Sequence, residues 1–166
     1  PGSGPVGVKK FLAPFFFFFL LIKENDIYKW DYQRPDAIGK IHNFYGNYAI
    51  MLRAYAYIKS LGGEGLKETT ENAVLNANYM KAKLKKDYHL PYEESSLHEF
   101  VLSGRRQKEQ GGATENIAKR LLDYGQYAPT IYFPLVVKEA MMVEPTETEN
   151  IDSLDKFVET MKIISR

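Results

Sequence analysis

Three histidines, His42, His89 and His98, are the side chains best suited to proton transfer or metal binding near neutral pH. They lie far apart in the sequence and show no metal-ligand spacing. His98 is followed directly by Glu99, an acid–base pair in composition only: on a strand, neighbouring side chains point to opposite faces and cannot act together. The acidic run "EPTETE" (144–149) reads as a solvated loop ahead of a helix. The glycine-rich "PGSGPVGV" (1–8) lets its backbone approach a phosphate, but it lacks the Walker and Rossmann patterns and alone reads as a loop. There is no cysteine, which removes thiolate nucleophiles, disulfides and Cys-based zinc sites, and makes the cytosol the default compartment. These residues assemble no free-standing catalytic or metal constellation.

The elements that must position them are clearer. "IYKWDYQRPD" (27–36) reads as a short strand and turn. "FYGNYAIMLRAYAYIKSLGG" (44–63) reads as a helix packing through Ile50, Ala54, Tyr57, Ile58 and Leu61 and ending at Gly62-Gly63. Leu66, Thr70, Ala73, Ala77, Met80 and Leu84 mark the apolar stripe of a second helix over 66–84, with Lys81, Lys83, Lys85 and Lys86 solvated in its last turns. "LHEFVL" (97–102) alternates as a strand carrying His98 and Glu99. "TENIAKRLLDYG" (114–125) reads as a helix with Thr114 as N-cap and Ile117, Ala118, Leu121 and Leu122 buried. "TIYF" (130–133) and "AMMVE" (140–144) read as short strands bounded by prolines. "SLDKFVETMKII" (153–164) closes as an amphipathic helix on Leu154, Phe157, Val158, Met161 and Ile164. The order implies an α+β domain, helices packed on a small, mostly antiparallel sheet.

A length of 166 residues suits one domain or one lobe of a larger protein. Formal charge is +1, from 22 basic and 21 acidic residues, which gives no electrostatic reason to expect nucleic acid or an anionic membrane as partner. The apolar run from Phe11 to Ile22 resembles a signal peptide, but a bilayer span needs about 20 apolar residues. Lys23-Glu24-Asn25-Asp26 offers no small-residue cleavage site, and Pro14 interrupts any helix. The run reads instead as a buried extended segment of the core.

Six strings taken together go further. "PGSGPVGV", "AYAYIKSLGGEGLK" (54–67), "AVLNANYM" (73–80), "HEFVLSG" (98–104), "AKRLLDYGQYAPTIYFPL" (118–135) and "MMVEPTETE" (141–149) follow one another in the order found in the glycine decarboxylase family, the P-protein of the glycine cleavage system. The resemblance runs nearly end to end and is strongest to the C-terminal part of the second subunit of the two-subunit bacterial form. It implies the small C-terminal lobe of a fold-type-I enzyme that uses pyridoxal phosphate. Residues 1–36 would enter from the large cofactor domain and 37–166 would form the small α+β domain.

The resemblance further implies decarboxylation of glycine, with the aminomethyl group passed to the lipoyl arm of H-protein. The partners implied are P-protein subunit 1, a second copy of the heterodimer, and lipoylated H-protein. The family's Schiff-base lysine lies just upstream of the equivalent of Pro1-Gly2-Ser3-Gly4, so the chain is expected to be an excised, catalytically silent piece with no catalytic residue and no metal. Gly2, Ser3 and Gly4 are implied as a backbone approach to the cofactor pocket, and Tyr45, Gly46 and Asn47 as the loop at the cleft. His98 and Glu99 are substrate-cleft candidates, and Arg53 either meets a substrate carboxylate or makes an interhelical contact. Phe16 to Phe19 replace a proline-broken stretch of the family. The other readings are the same lobe of a different fold-type-I decarboxylase or aminotransferase, which "LNANYM" and "EPTETE" disfavour, and a non-catalytic interaction domain of the same fold.

Overall fold

The computed structural model describes residues 3–17, 20–41 and 44–166. Gly2, Phe18, Phe19 and His42, singled out above, lie outside the described residues. The chain divides into two compact units, one ending at Leu61 and the other starting at Gly62.

The first unit opens with a 3-10 turn over Lys10–Phe15 and continues as a hairpin of β1 (Leu20–Glu24) and β2 (Ile27–Asp31). Asn25 and Asp26 form the two-residue turn between Glu24 and Ile27, with φ of 48° and 61°, left-handed values that match the twist of a tight hairpin. Asp31 accepts from Arg34 Nε at 2.9 Å, and Arg34 Nη1 donates to the Ala13 carbonyl, so the turn after β2 ties back to the 3-10 segment. The apolar run is therefore not the buried extended segment expected. It is a 3-10 turn followed by a strand, with Phe11 68% and Phe15 52% exposed. No described residue of the first unit is buried.

Helix α1 spans Tyr48–Leu84 but is interrupted at Gly62, where φ 66° and ψ −174° leave the helical region. Only glycine adopts that backbone without strain, so Gly62 ends the first helical segment as expected. Residues 51–60 of that segment are all exposed. The stripe read from Ala54, Tyr57 and Ile58 is thus exposed among the described residues, as is Arg53.

The second unit holds the core. Ala77, Met80 and Leu84 of α1 pack with Tyr88 against Phe100 and Leu102 of β3 (Phe100–Ser103) and Met141 and Val143 of β5 (Ala140–Val143). Strand order is β3-β5-β4, all antiparallel, with β4 reduced to Thr130–Ile131 where four residues had been expected. Phe100 faces Val143 and Leu102 faces Met141, so the buried residues of the two strands share one face. The short α2 (Arg105–Glu109) follows β3; α3 (Thr114–Asp123) and α4 (Ile151–Ile164) supply Ile117, Leu121, Leu154, Val158 and Met161 to the same core. Tyr88 is fully buried, its hydroxyl donating to the Met161 carbonyl at 2.9 Å, and burial pushes its ionisation well above the usual tyrosine range.

Local chemistry sets the helix ends. Gly125 (φ 69°) closes α3, with Gln126 N–H on the Leu121 carbonyl and Gly125 N–H on Leu122, a Schellman arrangement. Asn150 caps α4 by accepting from Ser153 N–H at 2.9 Å. At α3 the N-cap is Ala113 rather than Thr114, which is the first helical residue and is buried. Leu122 is 60% exposed and does not join the buried face. Thr70 is also exposed, leaving the α1 stripe to Ala77, Met80 and Leu84, with Leu66 and Ala73 half-buried.

Lys81 is buried, not solvated. Its ammonium donates to the Glu94 carbonyl and to Ser96 Oγ, and the Asn78 amide pairs with both backbone groups of Ser96, at 3.0 Å from its N–H and 2.7 Å to its carbonyl. These bonds fasten the 85–99 connection onto α1.

The α3 N-terminus carries a pH-dependent contribution. Glu139 holds a left-handed φ of 53° and turns its carboxylate onto Thr114 N–H at 2.9 Å, while its carbonyl accepts from Thr114 Oγ1. The Thr114 amide holds the Glu139 carboxyl below its ordinary value, Lys108 adding a smaller contribution. A carboxyl with a depressed folded-state value stabilises the fold above its unfolded value, about 4.3, and loses that contribution as pH falls through the folded value. Acid unfolding of Glu139→Gln should therefore show a shallower loss of stability below the ordinary carboxylate range than the parent. An identical acid limb in urea titrations would remove Glu139 from this role.

Candidate functional site

Two sequence motifs that are remote in the chain meet in the second unit. The β3–β5 register sets Phe100 opposite Val143, so the residues just before Phe100 and just after Val143 emerge at the same edge of the sheet. His98 and the Glu144–Glu147 segment consequently line one cavity of about 370 Å³, with Thr69, Thr70, Ala73 and Val74 of α1 opposite. A second cavity of about 310 Å³ lies on the other side of the same loop, floored by Met80, Val143, Leu154 and Phe157. Glu144, Pro145 and Thr146 belong to both.

The loop is held in place by hydrogen bonds. Asn76 Nδ2 donates to the Thr146 carbonyl at 3.0 Å and the Glu149 carbonyl at 3.4 Å. Thr146 and Thr148 hydroxyls lie 2.7 Å apart, and Ser153 Oγ donates to the Glu149 carboxylate at 2.6 Å, joining the loop to the first turn of α4. Pro145 is buried at the centre. The acidic run is the largely exposed loop ahead of a helix that was expected, and these bonds also pin it in place. Chemically, an imidazole and the Glu144 and Glu147 carboxylates over an apolar floor suit a ligand with hydrogen-bond donors or positive charge. No nucleophile is positioned there.

His98 and Glu99 are not residues of the central strand. They precede β3, which begins at Phe100 and is an edge strand, β5 being central. His98 is exposed and Glu99 half-buried, and only His98 lines the cavity.

The residues singled out for cofactor approach all fall in the first unit. Ser3 and Gly4 are exposed, with open space where a Gly4 side chain would be. Asn47 caps α1: its Oδ1 accepts from Ile50 N–H at 3.3 Å. Gly46 has φ 91°, a glycine conformation, and an added Cβ would lie 3.6 Å from Met51 Cε. The Tyr45 ring packs on Trp30 at 5.0 Å, and its hydroxyl lies 3.2 Å from that of Tyr32, a hydrogen bond that raises the Tyr32 ionisation. Tyr45, Gly46 and Asn47 thus each have a local structural role. Among the described residues no group of three or more histidines and carboxylates is placed to hold a metal ion, and no helix is long and apolar enough to cross a membrane.

Sequence reasoning missed Asn76 and Lys81. Asn76 stood inside "AVLNANYM" with no signal of its role, which depends on a bond to a loop about 70 residues away. Lys81 did carry one, four residues after Ala77 and three before Leu84, on the buried stripe.

Residues 69–166 match the family described as glycine dehydrogenase, C-terminal domain. The chain is 57% identical over 166 residues to the probable glycine dehydrogenase (decarboxylating) subunit 2 of Bacillus licheniformis, covering 100% of this chain and 34% of that protein. It is 55% identical over the same span to the protein of that name from Listeria monocytogenes, again covering 34% of it. The chain thus spans about a third of the length of the curated relatives it matches. Among solved structures it resembles a crystal structure of glycine decarboxylase (P-protein) of the glycine cleavage system in inhibitor-bound form, with a TM-score of 0.69, 19% identity, and coverage of 93% of this chain and 37% of that one. At that identity the likeness is one of fold.

Proposed function

The chain belongs to the glycine dehydrogenase C-terminal domain family, and we propose that it serves as the C-terminal lobe of subunit 2 of a two-subunit glycine dehydrogenase (decarboxylating). The observation that carries this reading is 57% identity to a protein of that name along the whole chain. In the proposed assembly, residues 1–36 enter from a large domain that binds pyridoxal phosphate and 37–166 form the small domain. The partner subunit, a second heterodimer and lipoylated H-protein complete a cytoplasmic enzyme acting on glycine. The lobe of another fold-type-I decarboxylase or aminotransferase is not favoured by these relatives' names.

The residues present do not make a cofactor site by themselves. Tyr45 and Asn47 are engaged within their own loop, Ser3 and Gly4 face solvent, and the cavities at the 144–149 loop involve neither group. The chain contributes a wall in which the 144–149 loop, braced by Asn76, presents His98, Glu144 and Glu147.

The test is a chimera in which this sequence replaces the matching segment of the Bacillus licheniformis relative, prepared with that organism's companion subunit. Exchange of the glycine carboxyl group with bicarbonate should persist in the presence of H-protein. A chimera that assembles and takes up cofactor but exchanges nothing would overturn the assignment.

A further inference from the structure

We propose that the cleft between α2 and the β4–β5 connection binds a small phosphate-bearing anion. The cleft is an open cavity of about 700 Å³ at the end of β3 remote from His98. Arg105, Lys108 and Lys138 line it together with His89. Among the described residues neither Arg105 nor Lys138 forms an ion pair, and neither side chain has any hydrogen-bond partner.

A buried hydroxyl ties together the backbones that carry two of the cations. Ser103, 1% exposed, donates through Oγ to the Lys138 carbonyl at 2.7 Å and accepts from Arg105 N–H at 3.3 Å. One side chain thereby fixes the backbones of both Arg105 and Lys138 at the cleft. Two carboxylates border the same cavity, Glu109 and Glu139. Glu139 is turned by its left-handed backbone onto Thr114 N–H, so part of its charge is spent on the α3 terminus, and it keeps only a long contact of 3.8 Å with Lys108. The guanidinium fork of Arg105 and two flexible ammonium groups match a tetrahedral oxyanion. Val136 and Val137 give the cleft an apolar wall, which suits a monoester better than a bare ion. This inference stands on the second unit alone and does not depend on the enzyme reading.

Isothermal titration calorimetry of the full chain with inorganic phosphate, at fixed ionic strength with chloride as the matched control, reads the site directly. One saturable event is expected, weakened at least about tenfold in Arg105→Gln/Lys138→Gln, because two charge-assisted contacts to the anion are lost. Lys67→Gln/Lys119→Gln removes the same charge from exposed pairs elsewhere and should leave binding within about twofold. Lys138→Gln alone, which breaks no hydrogen bond, should weaken binding severalfold even if the double variant fails to fold. No saturable heat above the chloride control, equal weakening in both double variants, or unchanged binding in Lys138→Gln would each overturn the proposal.

Discussion

Leu84→Asp should leave the second unit largely unfolded. Leu84 is 0% exposed and lies in the core cluster with Tyr88, Leu121 and Met161. The substitution removes a packed leucine, for which truncation alone costs about 2–5 kcal/mol, and adds a carboxylate with no buried partner or a proton taken up against its usual preference. A total on the order of 5 kcal/mol or more compares with a typical domain stability of about 5–15 kcal/mol. Urea unfolding followed by circular dichroism would show it as a collapsed or absent transition. Thr70→Asp is the control, because Thr70 falls on the same nominal stripe but is exposed, and a change within about 0.5 kcal/mol is expected. A Leu84→Asp midpoint equal to the parent's would mean that α1 packs through a different face.

That contrast shows what the pattern of residues does and does not encode. Helix α4 was legible in its body and C-terminal end, because Leu154, Val158 and Met161 repeat at helical spacing, whereas its start at Ile151 and the Asn150 cap were not read. The strands β3 and β5 were legible as short runs, and a small antiparallel sheet under helices followed from the element order, but which strands pair was not read. Spacing fixes which residues share a face. It does not fix what lies opposite. Phe11, Phe15, Tyr57 and Ile58 have the composition of buried residues, yet among the described residues all four are exposed. The same limit hid the candidate site: His98 and Glu144 reach one cavity only because Phe100 pairs with Val143, a register that no local periodicity states. Lys81 failed differently. Counting it among four lysines suggested a solvated cluster, while its position on the helix wheel placed its stem between Ala77 and Leu84 and left its ammonium to find backbone oxygens.

The chain alone should be catalytically silent and should form no stoichiometric covalent adduct with pyridoxal phosphate. A lysine that takes up this cofactor must present an unprotonated amine inside a pocket that also holds the ring and phosphate. Most lysines here are exposed at the surface, outside any enclosed pocket that could hold the ring. Lys81 is the exception that tests the argument, since it is buried. Its Nζ donates to the Glu94 carbonyl and Ser96 Oγ, and attack on an aldehyde would require giving up both bonds and opening the 85–99 connection that they fasten. The bordering cavity is about 180 Å³ and is shared with Glu93 and Glu94, whose carboxylates oppose a phosphate. Incubation with the cofactor in saturating inorganic phosphate, which keeps the cofactor's own phosphate out of the α2 cleft beside Lys108 and Lys138, followed by borohydride trapping and intact-mass analysis, should yield only scattered, substoichiometric labelling. Adding H-protein and labelled glycine should give no exchange of the glycine carboxyl group with bicarbonate. One lysine labelled to completion, or measurable exchange, would show that the chain holds a cofactor site of its own and would refute its assignment as a lobe dependent on the rest of the enzyme.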